Sequence, residues 1–355
     1  MGRPSQEGDG GARFREFLSR HAHDLDSYLL EPYDPTRDQA SPASVRPDLA
    51  RYLYGPLTRY TSNAGKRVRP LICLLACEAT GGHAADAMSA AAAIEHFQGA
   101  ALIHDDIADE GTTRRGEPCL HLTEGIGLAT NCGDLGLATT LGLVADDTTL
   151  AVDVRCRVLS ELYAMCRRTM EGQALDLGWA RDGRWDVTAA DYLAMATLKT
   201  AHYSAASPLA IGAIIGGADE TDVEALRSFG LDCGLAFQLQ DDLLNLVGDA
   251  EAQGKDFRGD ITEGKRTLVA VLALASAPAP EADELVRILS AHETGTDQLA
   301  RAVDIMEACG AVDQARTHAL ELVDRAKRTL AGSSLTAGYM ATLASMADFF
   351  VARGA

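Results

Sequence analysis

Aromatic residues are scarce in this chain, at 5% of 355 residues. Sheets draw on aromatic and β-branched side chains, whereas the abundant Ala and Leu here favour helix. Long apolar runs are missing too: none reaches the ~20 residues that a membrane-spanning helix needs. Positive charge is short, with 32 Lys and Arg against 51 Asp and Glu and a net charge of −19. That balance argues against a nucleic-acid binder, which needs a basic face. Anionic substrates stay open, because a bound divalent metal reverses the local sign. The eight cysteines form neither CxxC pairs nor Cys/His zinc spacings. Cys73 and Cys77, four apart in an apolar stretch, read as buried thiols of a reducing, cytoplasmic chain. His96, His121 and His202 share no ligand spacing. Residues 1–11 lack the basic and apolar regions of a signal peptide and read as a disordered tail, leaving 12–355 as one domain.

What is present is helical periodicity. It predicts helices over 12–30, 47–62, 69–80, 84–110, 125–145, 151–180, 189–216, 219–247 and 262–275, with more to the C-terminus. Thr188 and Thr262 stand at expected helix starts. Gly81-Gly82, Gly216-Gly217, Gly254 to Gly259 and Ser276 to Pro280 are expected breaks. The charged loop 248–263 is a candidate lid.

Two acidic clusters interrupt apolar helical stretches: Asp105-Asp106-Ile107-Ala108-Asp109 and Asp241-Asp242-Leu243-Leu244-Asn245. Carboxylates in such surroundings are costly unless something neutralises them. Positions i and i+4 share a helix face, so Asp105 projects with Asp109, and Asp241 with Asn245. An oxygen-only ligand set suits Mg²⁺, which completes its octahedron with water and substrate phosphates. The pattern points to a helical cavity that holds a diphosphate through magnesium.

Basic segments are interleaved with these clusters. Gly65-Lys66-Arg67-Val68-Arg69-Pro70 opens a helix, and Arg114-Arg115 follows the first cluster. Lys199-Thr200, Lys255 and Lys265 come later. Helix N-termini and guanidinium forks both suit phosphate oxygens. Each segment alone is weak; together, interleaved with two acidic clusters, they are hard to assign to solvated surface.

The ordered set GKRVRP, LIHDDIADEGTTRRGEP, NCGD, EGQALD, LKT, FQLQDD and GKDFRGDITEGKRTL, from Gly65 to Leu268, resembles the trans-isoprenyl diphosphate synthases. The resemblance implies an all-α fold, a single-domain bundle of long helices around a deep central cavity, usually homodimeric. It implies a prenyltransferase that joins isopentenyl diphosphate to an allylic diphosphate, with three Mg²⁺ ions alongside bound substrate. Asp105, Asp109 and Asp241 would ligate magnesium. Arg114 would grip the allylic diphosphate, surrounded by Lys199, Thr200, Gln238, Lys255 and Lys265. Lys66, Arg69 and Arg115 would hold isopentenyl diphosphate, with Gln98 standing where relatives commonly carry His. Asn245 stands where the second cluster usually ends in Asp. Asp134, Gln173 and Asp176 would hydrogen-bond around the site.

In this family the helix before the first cluster floors the chain pocket. Ala100 and Ala101 are small where farnesyl-producing relatives tend to be bulky, and Phe97 lies one turn deeper. Two turns span ~12 Å at 1.5 Å per residue. This implies a geranylgeranyl product with Phe97 as floor. A terpene cyclase on the same fold would have no use for Lys66, Arg69 and Arg115. A regulatory subunit would tend to lose an Asp cluster, and both are present.

Overall fold

The structure is a computed structural model that describes residues 10–34, 41–63, 65–248, 257–291 and 295–352. The chain is all-α. Its helices are α1 (Ala12–Leu29), α2 (Arg46–Leu49), α3 (Gly55–Ser62), α4 (Val68–Ala79), α5 (Met88–Ala108), α6 (Leu120–Glu124), α7 (Ile126–Ala145) and α8 (Val152–Arg181). There follow α9 (Ala189–Ala196), α10 (Ser207–Ile215), α11 (Glu220–Val247), α12 (Gly259–Thr262) and α13 (Leu268–Ser276). The last four are α14 (Ala279–Leu289), α15 (Thr296–Ala308), α16 (Ala311–Leu330) and α17 (Ala337–Val351). Among the described residues no helix is long and apolar enough to cross a membrane.

Two compact units are formed. One comprises 17–166 and 207–227 and carries the first acidic cluster. Its core includes Leu71, Ile72, Leu74 and Leu75 of α4 with Ile94 of α5, all fully buried. The run Ala90–Ala93 in α5 combines the best helix former with a side chain that permits close packing. Where α5 meets α7 the helices approach closely: a Cβ added at Gly136 would lie 3.0 Å from the Ala100 Cβ.

The second unit comprises the described residues of 1–16, with 167–206 and 228–355, and carries the second cluster. The edge-on aromatic contacts Phe14–Phe349 (5.4 Å) and Phe237–Phe350 (5.2 Å) tie the start of α1 and the middle of α11 to α17. Between α9 and α10 the chain runs as a π-helix over Thr197–Ala206, a form that recurs at functional sites. Glycines let two neighbours press against it. A Cβ at Gly172 of α8 would collide with the Lys199 backbone nitrogen, and one at Gly234 of α11 would lie 2.7 Å from the Ala201 Cα.

Helix starts follow local chemistry. Thr188 caps α9 as expected, its side chain accepting from the Asp191 N–H. Thr262 does not start a helix; it ends α12, and Thr267 caps α13 by accepting from the Ala270 N–H. The sheet among the described residues was not anticipated. Thr113–Arg114 pairs antiparallel with Glu117–Pro118. Arg115 and Gly116 between them both have positive φ, the geometry of a type I′ hairpin.

Candidate active site

Asp105 lies in the last turn of α5 and Asp109 just beyond it, the Asp109 N–H still donating to the Asp105 carbonyl at 2.8 Å. Both carboxylates are partly exposed. Asp106 between them is 1% exposed. Its Oδ1 accepts from Arg114 Nε at 2.8 Å and Nη2 at 2.5 Å, while its Oδ2 has no hydrogen-bond partner among the described residues. The hairpin therefore seats Arg114 directly beside the Asp105–Asp109 pair. Tyr60 lies close enough for Asp106 to help raise its pKa, after burial as the larger cause.

Arg115 turns the other way. Its Nη1 donates to the Asn63 carbonyl at 2.9 Å, and its guanidinium covers Gly65, next to exposed Lys66. Arg69 and Gln98 also meet. With its amide oriented to satisfy both ends, Gln98 accepts from Arg69 Nη1 at 3.0 Å and donates to Glu95 Oε2 at 3.3 Å. One pair of the predicted isopentenyl-site residues, Arg69 and Gln98, is thus in contact, while Arg115 packs on the residue before Lys66.

Arg67, which sequence reasoning passed over, anchors this basic loop. It is 6% exposed and donates to Glu95 (2.6 Å), Asp26 (3.0 Å) and the Thr61 carbonyl (2.6 Å). It holds a left-handed backbone, φ 49°. Among the described residues the other non-glycine positions of positive φ are Glu110, Arg115 and Arg258. All four lie within motif segments, and each costs on the order of 1–2 kcal/mol for an L-residue. Strain of this kind persists where the surroundings over-determine the backbone, commonly around functional sites.

His104 stacks its ring on Gly133, with Nε2 3.4 Å from Asp134 Oδ1. Phe97 is 1% exposed, and Ala101, one turn nearer Asp105 on the same face, is partly exposed. Ala100 faces α7 at Gly136, so helix packing alone accounts for its small size.

In the other unit Asp241 is partly exposed and Asp242 is buried. Asp242 accepts from Gln238 Nε2 at 2.7 Å and from the Tyr192 hydroxyl at 2.5 Å. Thr200 Oγ1 in turn donates to Gln238 Oε1 at 2.7 Å. Burial, then the nearby Asp260, pushes the Asp242 carboxyl well above the usual range. Lys199 Nζ meets Asp176 Oδ2 at 2.5 Å, and Lys265 Nζ lies 2.5 Å from Glu263 and 3.7 Å from Asp260. These lysines rest on carboxylates. Asn245 accepts from the Asp260 N–H at 3.1 Å, so its amide ties α11 to the segment opening at Gly259. Lys255 and half of the 248–263 loop, residues 249–256, lie outside the described residues.

Among the described residues no three His, Cys, Asp or Glu side chains converge on one point. The partly exposed carboxylates number at most two per cluster. Such a set fits an ion that takes its remaining ligands from water and substrate phosphates.

Residues 50–306 match the polyprenyl synthetase family. A short chain isoprenyl diphosphate synthase of Methanothermobacter thermautotrophicus is 36% identical over 328 residues, 92% of this chain and 98% of that protein. A geranylfarnesyl diphosphate synthase of Natronomonas pharaonis is 36% identical over 290 residues, 77% of this chain and 82% of its own. The crystal structure of geranylgeranyl pyrophosphate synthetase from Pyrococcus horikoshii superposes with a TM-score of 0.84 at 30% identity, covering 96% of this chain and 98% of that one. The chain belongs to the polyprenyl synthetase family and is a trans-prenyltransferase, an isoprenyl diphosphate synthase.

Proposed function

We propose that this synthase elongates an allylic diphosphate to geranylgeranyl diphosphate, residues 12–355 acting as one catalytic domain in a cytoplasmic homodimer. The observation that carries the reading is the divergence of two adjacent arginines. Arg114 goes to the aspartate cluster and Arg115 to the Gly65–Lys66 loop, which provides cationic seats for two diphosphates. A terpene cyclase has no need of the second seat.

Members of the family depend on magnesium. In this chain Asp105, Asp109 and Asp241 would hold it, with three ions present alongside substrate. When bound, the metal neutralises charge that develops on the departing diphosphate. The protein's own groups do the rest. Arg114, Lys199, Thr200, Gln238, Lys255 and Lys265 grip the allylic diphosphate, and fixed cations stabilise its growing charge as the C–O bond breaks. Lys199 and Lys265 would then exchange their carboxylate partners for phosphate oxygens. Lys66, Arg69, Gln98 and Arg115 hold isopentenyl diphosphate so that its double bond meets the allylic cation. The proton lost afterwards goes to the departed diphosphate, and an apolar chain pocket keeps water from the cation.

Phe97, deeply buried on the face of Ala101 and Asp105, is the proposed floor. The exposed face of α8 supports dimerisation. Cys156, Tyr163, Met170 and Leu177 recur every seven residues along it, with Tyr163 61% and Met170 51% exposed. A seven-residue apolar spacing is a seam for another helix, and a second copy supplies an identical one.

Incubation with Mg²⁺, isopentenyl diphosphate and farnesyl diphosphate should yield a product one isoprene unit longer. A cyclic hydrocarbon would favour the cyclase, and no reaction would favour a subunit that needs a partner.

A further inference from the structure

We propose that Tyr192 is a positioning residue of the second half-site and that it acts through Asp242, which serves as an anchor and not as a magnesium ligand. The inference rests on the assignments of Asp241 to metal and Gln238 to the allylic diphosphate made above.

Both oxygens of Asp242 are occupied from within the protein. Gln238 Nε2 donates to Oδ1 at 2.7 Å and the Tyr192 hydroxyl to Oδ2 at 2.5 Å. Asp242 is 7% exposed and Tyr192 2%. Consecutive helical residues point about 100° apart, so Asp241 and Asp242 of α11 face different surroundings. Asp241 is the more solvent-exposed of the two.

The anchor joins three elements. Tyr192 is the fourth residue of α9, one residue beyond the Thr188–Asp191 capping box that fixes the first turn. Thr200 comes from the π-helix, and its hydroxyl donates to the Gln238 Oε1 while Nε2 of the same amide turns to Asp242. Gln238 stands one turn before Asp242 on α11. A hydroxyl on α9 thereby determines how a substrate-facing amide on α11 is presented. Without it one oxygen of a buried carboxylate loses its donor and Asp242 is free to turn, taking Gln238 with it.

Tyr192→Phe removes only the hydroxyl. In saturating magnesium, calorimetric binding of a non-ionising thiolo analogue of the allylic diphosphate should weaken about tenfold. The allylic KM should rise by a similar factor. The KM for isopentenyl diphosphate and the magnesium concentration for half-maximal rate should stay unchanged. Asp242→Asn should behave alike, and the double variant should be no worse than the more impaired single, because both act on one link. Asp241→Asn, by contrast, should raise the magnesium requirement.

If Asp242→Asn raises the magnesium requirement as much as Asp241→Asn does, Asp242 is a ligand and the proposal fails. If Tyr192→Phe weakens both substrates equally, or adds its full loss to that of Asp242→Asn, the hydroxyl serves the fold alone and the proposal fails. An Asp241→Asn variant with an unaltered magnesium requirement would instead overturn the metal assignment on which the inference stands.

Discussion

Arg114 places two donors, Nε at 2.8 Å and Nη2 at 2.5 Å, on a single oxygen of Asp106. The carboxylate between the two proposed metal ligands is a buried seat for an arginine. Asp106→Asn weakens that seat. It should cost about 1–3 kcal/mol of stability, read by chemical denaturation. It should also raise the allylic KM, read by steady-state kinetics, because Arg114 loses its orientation.

Metal removal separates catalysis from folding. Chelation with EDTA should abolish elongation, and magnesium should restore it. The thermal midpoint and far-UV circular dichroism of the substrate-free protein should be unchanged, since no described trio of His, Cys, Asp or Glu forms a structural metal site. Asp105→Ala and Asp109→Ala should each raise the magnesium needed for half-maximal rate.

Product length should respond to α5 in a position-dependent way. Ala101→Phe should shorten the product and Phe97→Ala should lengthen it, both read by chromatography of the dephosphorylated products. Ala100→Phe should behave differently. Its side chain meets α7 at Gly136, so it should lower stability by about 1–3 kcal/mol through overpacking.

Charge on the exposed seam of α8 should break the dimer. Met170→Glu combined with Tyr163→Glu puts like charges against each other across a two-fold axis. Sedimentation should then show a monomer where the parent protein sediments as a dimer.

Gly172→Ala tests the packing behind the π-helix. The added Cβ has no room against the Lys199 backbone. Lys199 and Thr200 should shift, with a loss of about 1–3 kcal/mol in stability and a raised allylic KM. Gly178→Ala on the same helix, where a Cβ meets nothing within 4 Å, is the control.

Local rules carried much of what could be read from the chain alone. The 3.6-residue period placed α1, α7, α8 and α11 to within a few residues. The i, i+4 spacing paired Asp105 with Asp109, and the Thr188 cap depends on residues only three apart. The Arg69–Gln98 contact and the packing of Arg115 on Gly65 join segments far apart in the chain, which spacing alone does not foretell.

Tertiary structure decided the rest. Asp105 and Asp106 look alike in sequence, as do Asp241 and Asp242, and neighbours from elsewhere in the chain select which of each pair turns inward. Arg114 arrives on an unanticipated hairpin and Tyr192 on α9, and nothing within a helical turn of either aspartate announces them. Arg67 reads as one more loop cation until Asp26 and Glu95 close on it. The π-helix likewise depends on glycines in α8 and α11, far from it in the chain. Periodicity reports how often a residue faces the core; which buried group awaits it there is a property of the packed molecule.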